Sequence, residues 1–108
     1  MITFTVWKSE HQYKGFESKG HADYAEDGDD ILCAAVSALT INAVNSIEEF
    51  TEDAYQVEQA EDGGYLKVLF PEELSEKAAL LMDSLVLGIE NIEAEYGNEY
   101  ITLLLEEV

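Results

Sequence analysis

Cationic side chains are scarce in this sequence. Lys and Arg together number 5 against 24 Asp and Glu in 108 residues, which gives a formal net charge of −19 at pH 7. A surface this negative repels phosphate backbones and releases none of their counterions, so the composition argues against direct nucleic-acid binding. A charge of this sign and size instead predicts a basic partner.

Cysteine and long apolar runs are also lacking. With Cys33 as its single cysteine the chain forms no intramolecular disulfide, and its first ten residues contain neither the basic segment nor the apolar run of a signal peptide. The uninterrupted apolar runs around residues 34–36 and 85–87 fall far short of the roughly 20 residues of a membrane span. These absences predict a cytoplasmic protein that does not cross a membrane.

The rest of the composition is that of a folded protein. Hydrophobic residues make up 47% of the chain and charged residues 27%, an apolar content above that of acidic disordered segments. A length of 108 residues fits one compact domain and is too short for two independent ones. We therefore expect residues 1–108 to form a single domain.

The apolar periodicity predicts five strands and two helices. Apolar and polar residues alternate at the N-terminus, as in a half-buried strand. Gly63 and Gly64 can adopt positive φ angles without steric cost, so a tight turn at these residues predicts a hairpin. Pro71 is expected in the first turn of the second helix. The predicted elements are strands at 2–8 and 15–21, a helix at 31–50, strands at 55–58 and 65–70, a helix at 72–95, and a strand at 100–105.

The order ββαββαβ predicts an α+β fold, with a mostly antiparallel sheet and two helices packed on it. The first helix is apolar around more of its circumference than one small sheet face can cover. Because a large exposed apolar patch usually marks an interface, we expect a homodimer.

Cys33 is the residue whose predicted position suggests chemistry. It falls in the first turn of the first helix, where the helix dipole favours a thiolate and lowers a cysteine pKa from about 8.5 toward 7. His21 ends the second predicted strand, and the intervening loop is long enough to bring its imidazole to the sulfur as the base of a Cys/His dyad. Ser37 lies one helical turn beyond Cys33 on the same face.

Other interpretations of these residues stay open from the residues alone. A lone cysteine in a helix is more often a small buried apolar residue than a nucleophile. Five acidic residues between Asp23 and Asp30 oppose thiolate formation. His11, His21 and Cys33 lack the paired spacing of a metal site, so we expect no metal and no cofactor.

The segment from Gly20 to Ser37 resembles a known signature. It combines Gly-His-Ala, an acidic stretch and Gly-x-Asp-Ile-Leu-Cys-Ala-Ala-x-Ser, and it is similar to the motif of the bacterial ribosomal-processing cysteine protease family, Prp, also called the YsxB-like family. Leu32 stands where valine is frequent, a conservative difference that does not touch the chemistry. The similarity also covers chain length, acidic bias and element order. The matching residues are Gly20, His21, Ala22, Gly28, Asp30, Ile31, Cys33, Ala34, Ala35 and Ser37.

This resemblance implies a cysteine endopeptidase with Cys33 as nucleophile and His21 as general base. The implied substrate is the bacterial large-subunit ribosomal protein numbered twenty-seven, from which a short N-terminal extension is removed after a hydrophobic, aromatic-rich stretch during ribosome assembly. A basic ribosomal protein agrees with the net charge of −19. The supporting motif positions are Asp30, Ser37, Gly20 and Gly28.

The main alternative is a non-catalytic module, an acidic dimer that binds basic ribosomal proteins without cleaving them. It uses the same charge and needs no thiol. A thiol redox protein is disfavoured because the chain has no second cysteine to resolve an oxidised Cys33.

Overall fold

The computed structural model describes residues 1–21, 31–61 and 63–108. Five strands and two helices follow one another in the predicted order ββαββαβ. The elements are β1 (Ile2–Ser9), β2 (Gln12–Lys19), α1 (Ile31–Phe50), β3 (Gln56–Gln59), β4 (Tyr65–Leu69), α2 (Glu76–Tyr96) and β5 (Ile101–Glu107).

β1 and β2 form an antiparallel hairpin that is longer than predicted. Its turn uses Glu10 and His11, whose φ angles of 52° and 71° are both positive. Two consecutive positive φ angles suit a tight turn whose twist matches that of the paired strands. The prediction that β2 begins at Gly15 is wrong, because the strand begins at Gln12. The residues around Tyr13 are polar and turn-like in the sequence, but Tyr13 is buried and pairs with Lys8 of β1.

The five strands form one mixed sheet in the order β3-β4-β2-β1-β5. β1–β2, β2–β4 and β3–β4 pair antiparallel, whereas β5 pairs parallel with β1. A parallel partner requires a crossover connection, and α2 lies in that connection between β4 and β5. The predicted α+β class with a mostly antiparallel sheet is confirmed.

One face of the sheet and the inner faces of both helices share a single core. Alternate residues of β1 enter this core, as the period-two pattern predicts. The rings of Phe4 and Phe16 stack across β1 and β2 with centroids 5.4 Å apart. The fully buried large side chains are Phe4, Phe16, Leu32, Ile47, Met82, Ile89, Ile101, Val6 and Val68.

α1 carries no charged residue between Ile31 and Ile47, which is unusual in so acidic a chain. By length and composition alone it could cross a membrane. Its uninterrupted apolar runs are still short, because uncharged polar residues divide the helix. One face of α1 nevertheless packs in the protein core, whereas Ile31 and Ile41 on other faces are each 56% exposed. The buried residues of α1 are Leu32, Val36, Thr40, Ala43 and Ile47.

α2 begins at Glu76, four residues later than predicted. Ser75 is its N-cap, and the Ser75 side chain accepts a hydrogen bond from the Ala78 N–H at 3.2 Å. Asp53, just beyond α1, accepts hydrogen bonds from the Ser75 N–H and hydroxyl, both at 2.7 Å. Pro71 therefore does not occupy a first-turn position, because a serine cap held by a distant aspartate sets the helix start.

Candidate functional site

Cys33 is the third residue of α1, in the first turn as predicted. It is partly exposed and packs against the hydrophobic core. Two neighbours on the helix, Leu32 and Val36, are almost fully buried and hold this face of α1 against the sheet. The thiol therefore sits on a rigid element at the positive end of the helix dipole, and it retains access to solvent.

Ser37 lies one turn beyond Cys33 and is exposed. Thr40, which shares this side of the helix, is only 2% exposed. The Thr40 hydroxyl donates to helix carbonyls, with distances of 2.9 Å to Val36 O and 3.1 Å to Ser37 O. Thr40 is thus satisfied within the helix, and Ser37 is the hydroxyl on this side that faces solvent.

His21 follows β2 directly and is exposed. The strand ends two residues earlier than predicted, at Lys19, because Gly20 adopts a φ of 96° that an L side chain rarely takes. The Gly20 N–H donates to Gly64 O at 2.8 Å, which ties this end of β2 to the β3–β4 turn. A Cβ atom on Gly20 would fall 2.5 Å from Met1 O. The glycine therefore fixes how the chain leaves the sheet at His21.

A cavity of about 140 Å³ lies between α1 and the β3–β4 hairpin, and we call it the α1–hairpin cavity. Its walls include Ser37, one turn from Cys33, and Ser18, three residues before His21. α1, which carries Cys33, and β2, which leads to His21, thus both contribute to the wall of this cavity, although Cys33 and His21 themselves do not line it. The lining residues are Ser18, Val36, Ser37, Thr40, Ile41, Gln59, Ala60, Gly63, Tyr65 and Leu66.

Tyr65, one of the lining residues, directs its side chain to the face of the sheet away from the helices and forms a hydrogen bond across the strands there. Its hydroxyl donates to Glu17 Oε2 at 2.8 Å. This hydrogen bond, together with burial and the charges of Glu17 and Glu58, raises the pKa of Tyr65 to about 12. Tyr65 therefore keeps its proton at neutral pH.

A larger cavity of about 430 Å³ lies elsewhere, beyond the C-terminal end of α1 and before α2. Its walls contain Glu52, Asp53, Glu72 and Glu73 and none of the predicted site residues. We assign the site to the smaller cavity, because that cavity adjoins the residues with candidate chemistry.

Two of the six predicted site residues, Gly28 and Asp30, lie outside the described residues. The structure places Gly20 and His21 together after β2, and Cys33 and Ser37 together on α1. The hairpin residues Gln59, Tyr65 and Leu66, which form the opposite wall, carry no local sequence signal of a site. Across residues 1–21, 31–61 and 63–108, no group of three or more His, Cys, Asp or Glu side chains is arranged to hold a metal ion.

The partly exposed Cys33 thiol in the first turn of α1 and the exposed His21 after β2 are the two residue types that a cysteine protease uses for catalysis. The comparisons with known proteins agree. Residues 1–102 match the family model described as Cysteine protease Prp, and the chain belongs to this family. Membership favours the protease over the non-catalytic module that was the main alternative.

The related sequences and structures extend along most of the chain. The Ribosomal processing cysteine protease Prp of Bacillus subtilis is 37% identical over 101 residues, which cover 89% of this chain and 90% of the relative. The Prp of Staphylococcus aureus strain Mu50 is 33% identical over 84 residues, or 78% of each chain.

The fold is also similar to solved structures. An S. aureus Prp in complex with a covalently linked product peptide matches with a TM-score of 0.92 and 29% identity, over 98% of this chain and 100% of that one. A second S. aureus Prp, in complex with a substrate peptide, matches with a TM-score of 0.86 and 28% identity, over 98% and 100% of the two chains. The crystal structure of SMU.848 from Streptococcus mutans matches with a TM-score of 0.87 and 33% identity, over 100% of this chain and 96% of that one.

Proposed function

We propose that this chain cleaves a short N-terminal extension from a basic large-subunit ribosomal protein, the one numbered twenty-seven, and that Cys33 and His21 form its catalytic dyad. The observation that carries the proposal is that Ser37, one helical turn after Cys33, and Ser18, three residues before His21, line one cavity. The S. aureus relatives described with substrate and product peptides support a peptide as the ligand. Supporting roles for Asp30, Ser37, Gly20 and Gly28 belong to the same proposal.

The reaction follows from the two side chains. His21 takes the thiol proton, and Cys33 Sγ attacks the scissile carbonyl carbon to form a C–S bond. The imidazolium then protonates the leaving amine as the C–N bond breaks, which leaves a thioester. Water attacks the thioester while His21 accepts its proton, and the carboxylic product leaves with the thiol restored. The positive end of the α1 dipole stabilises both the thiolate and the oxyanion of each tetrahedral intermediate.

The α1–hairpin cavity suits an apolar side chain of the peptide. Val36, Ile41 and Leu66 provide apolar wall, and Ser37 and Gln59 provide polar groups that can bind peptide backbone. A volume of about 140 Å³ admits one side chain at a time. This matches the expected cleavage after a hydrophobic, aromatic-rich stretch.

The charge and the exposed face of α1 support the remaining parts of the proposal. A net charge of −19 attracts a basic ribosomal protein, and such a substrate places the protein in the cytoplasm, acting as one domain without a metal or cofactor. The uncharged outer face of α1 supports a homodimer, in which a second copy covers Ala34, Ala38 and Asn45 and leaves the cavity open.

The test is cleavage of an extended substrate peptide by Cys33→Ala and His21→Asn variants. We expect no cleavage by Cys33→Ala, and slower cleavage with a changed pH profile for His21→Asn, because the proton acceptor is lost. His11→Asn is the matched control, since His11 is an exposed histidine in the β1–β2 turn at the far end of β2. It should cleave at the wild-type rate.

The rate of Cys33 alkylation gives a readout that does not need the substrate. Alkylation should slow in His21→Asn and stay unchanged in His11→Asn. Circular dichroism establishes that each variant is folded. Full peptide cleavage by folded Cys33→Ala, or wild-type cleavage and alkylation by His21→Asn from about pH 5 to 9, would overturn the dyad.

A further inference from the structure

β3 lies at an edge of the sheet. It pairs with β4 on one side, and within the described residues no strand pairs with its other side. The Ala60 N–H, at the end of the strand, donates to Tyr65 O at 3.1 Å. Because alternate residues of an antiparallel strand direct their backbone groups to opposite sides, the N–H and C=O groups of Val57 and Gln59 point away from β4. β3 thus presents the backbone groups of two residues to an incoming chain.

The side chains of these two residues lie on the helix side of the sheet. Val57 pairs with Val68, which is fully buried in the core, and residues paired across a sheet share a face. Val57 is nevertheless 46% exposed at the edge. Gln59, two residues further along the same face, lines the α1–hairpin cavity. The edge therefore combines free backbone groups with an open apolar surface beside the cavity.

α1 runs along this edge. Ser37, Ile41 and Glu48 share one side of the helix, since they are four and seven residues apart. Ser37 and Ile41 line the cavity together with Gln59. Tyr55, just before β3, forms a side-chain hydrogen bond with Glu48 near the end of α1. α1 and β3 are thus the two walls of a groove, which is closed at Tyr55 and opens toward the start of α1. We call it the α1–β3 groove, and its walls contain Ser37, Ile41, Val57 and Gln59.

We propose that the substrate peptide binds in the α1–β3 groove as an additional strand, paired with β3 through the backbone of Val57 and Gln59. This inference rests on the proposed function, because the occupant is the segment that is cleaved. A peptide added to a sheet edge gains affinity from main-chain hydrogen bonds and specificity from pockets for alternate side chains. In this groove one set of alternate side chains faces Ile41 and the cavity, and the other set faces away from the helices.

The groove fits the part of the peptide that precedes the scissile bond. Its cavity end lies at Ser37, which is one helical turn, or about 6 Å along the axis, from Cys33. The exposed apolar residues Ile41 and Val57 lie further from Cys33 and suit the hydrophobic stretch expected before the cut. The peptide therefore runs parallel to β3, with the scissile bond toward Cys33. β3 has 4 residues, and a strand rises about 3.3 Å per residue, so about four peptide residues fit along it.

Charge favours a substrate strand over a second copy of this chain at the edge. Pairing two β3 edges would bring together two chains of net charge −19, each with Glu58 in the paired strand. Like charges on adjacent strands are destabilising, whereas a basic ribosomal protein brings the opposite charge. A short edge strand with a charged side chain is also a usual means of preventing association between sheets.

Hydrogen exchange tests the backbone contacts directly. An extended substrate peptide is titrated into folded Cys33→Ala, in which we expect the peptide to stay intact, and amide exchange is followed by nuclear magnetic resonance. Exchange of the Val57 and Gln59 amides should slow at least about tenfold at saturation, because both become hydrogen-bonded. The Glu58 amide faces β4 and is the internal control, so its exchange should change little.

A scan of the peptide backbone tests the same contacts without altering the protein. In each of the four residues before the scissile bond, the backbone amide is replaced in turn by an ester, which removes the N–H donor and keeps the side chain. Affinity for Cys33→Ala should fall about tenfold at alternate positions and little at the positions between them, since every second amide of a strand faces its neighbour.

Ile41→Asn tests the apolar wall of the groove. We expect KM for the peptide to rise about tenfold with little change in kcat, because the lost contact lies away from the reacting bond. Leu80→Asn is the matched control, since Leu80 is an apolar residue on α2 that is 67% exposed. It should cleave as the wild type does, and circular dichroism establishes that both variants are folded.

The outcomes separate this inference from the proposed function. Cleavage by the wild type without protection of the Val57 and Gln59 amides would overturn the groove and leave the proposed function standing. Protection of both amides by a peptide that the wild type does not cleave would support the groove and refute the proposed cleavage. Equal losses at all ester positions would overturn the strand pairing. Protection that appears without peptide as the protein concentration rises would overturn it as well, because the edge then holds a second copy.

Discussion

At the scale of single residues, Gly20 links backbone geometry to the candidate chemistry. It holds a φ of 96° immediately before His21, and a Cβ there would fall 2.5 Å from Met1 O. We predict that Gly20→Ala lowers the free energy of unfolding by about 2 kcal/mol or more, because it adds a steric clash to left-handed strain. Cleavage should fall as well, since His21 is displaced. Chemical denaturation and peptide turnover measure the two effects.

Gly97→Ala is the matched control for this prediction. Gly97 has a similar φ of 90°, but nothing lies within 4 Å of a Cβ placed on it, and it does not line the α1–hairpin cavity. Only the conformational strain remains, which costs about 1 kcal/mol. If the two variants lose equal stability and equal activity, the contact of Gly20 with Met1 has no part in positioning His21.

The sequence predicts individual site residues better than it predicts the cavity around them. Cys33 and His21 stand out because helix-start and strand-end positions follow from local patterns. Tyr65 and Leu66 carry no such signal, since they reach the cavity only when β4 pairs with β2 and α1 covers the sheet. Pairings between distant segments determine this wall of the site, and local periodicity contains no information about them.

At the scale of elements, the start of α2 depends on a contact with a distant residue. Asp53 accepts two hydrogen bonds from Ser75, which in turn caps Ala78. The sequence predicts the helix start just after Pro71, because a proline followed by two glutamates is a common local signal of a helix N-terminus. The cap at Ser75 needs an aspartate 22 residues earlier, so a local pattern could not identify it.

We predict that Asp53→Asn destabilises the protein near neutral pH by about 1–2 kcal/mol, because hydrogen bonds to a charged acceptor are replaced by weaker ones. Burial raises the pKa of Asp53, but hydrogen bonds from the Ser75 side chain and backbone outweigh it and hold the pKa below its ordinary value. The ionised form is therefore the one that the fold stabilises. Its contribution is present above the ordinary aspartate pKa of about 3.9 and is lost as the pH falls through the lower folded value.

Urea denaturation at neutral pH and below about pH 4 measures this difference. The stability gap between wild type and Asp53→Asn should shrink in acid. Ser75→Ala, which removes the cap itself, should cost about 1 kcal/mol. A gap between wild type and Asp53→Asn that stays constant with pH would contradict the assigned role of the carboxylate.

At the scale of the whole molecule, α1 presents an uncharged outer surface between Ile31 and Ile47 in a chain of net charge −19. Ala34, Ala38 and Asn45 lie on this surface at helical spacing and are all exposed. We predict that Ala38→Glu converts the expected homodimer to a monomer, because a buried unpaired carboxylate at a helix interface is costly. Sedimentation at micromolar concentration measures the change.

Gln56→Glu is the matched control for this surface, since it adds the same charge at an exposed position on β3. It should leave the dimer intact. A wild-type chain that sediments as a 12.0 kDa monomer would contradict the homodimer. Equal effects of the two variants would indicate that net charge, and not the α1 face, controls association.

The net charge of −19 predicts how the substrate is captured. If the acidic surface steers a basic ribosomal protein, association should fall steeply between low salt and roughly 0.5 M, where the Debye length is a few Å. kcat/KM for the full basic substrate should therefore drop with salt. kcat should change much less, because the bond-breaking step depends on side chains in contact with the substrate and not on the long-range field.

A short neutral peptide spanning the cleavage site is the control. It lacks the charge that the field acts on, so its kcat/KM should depend only weakly on salt, whereas its chemistry at Cys33 is the same. Measuring both kinetic constants for both substrates across one salt series separates capture from catalysis. Equal salt dependence of kcat/KM for the two substrates would mean that the acidic surface serves solubility and contributes nothing to substrate capture.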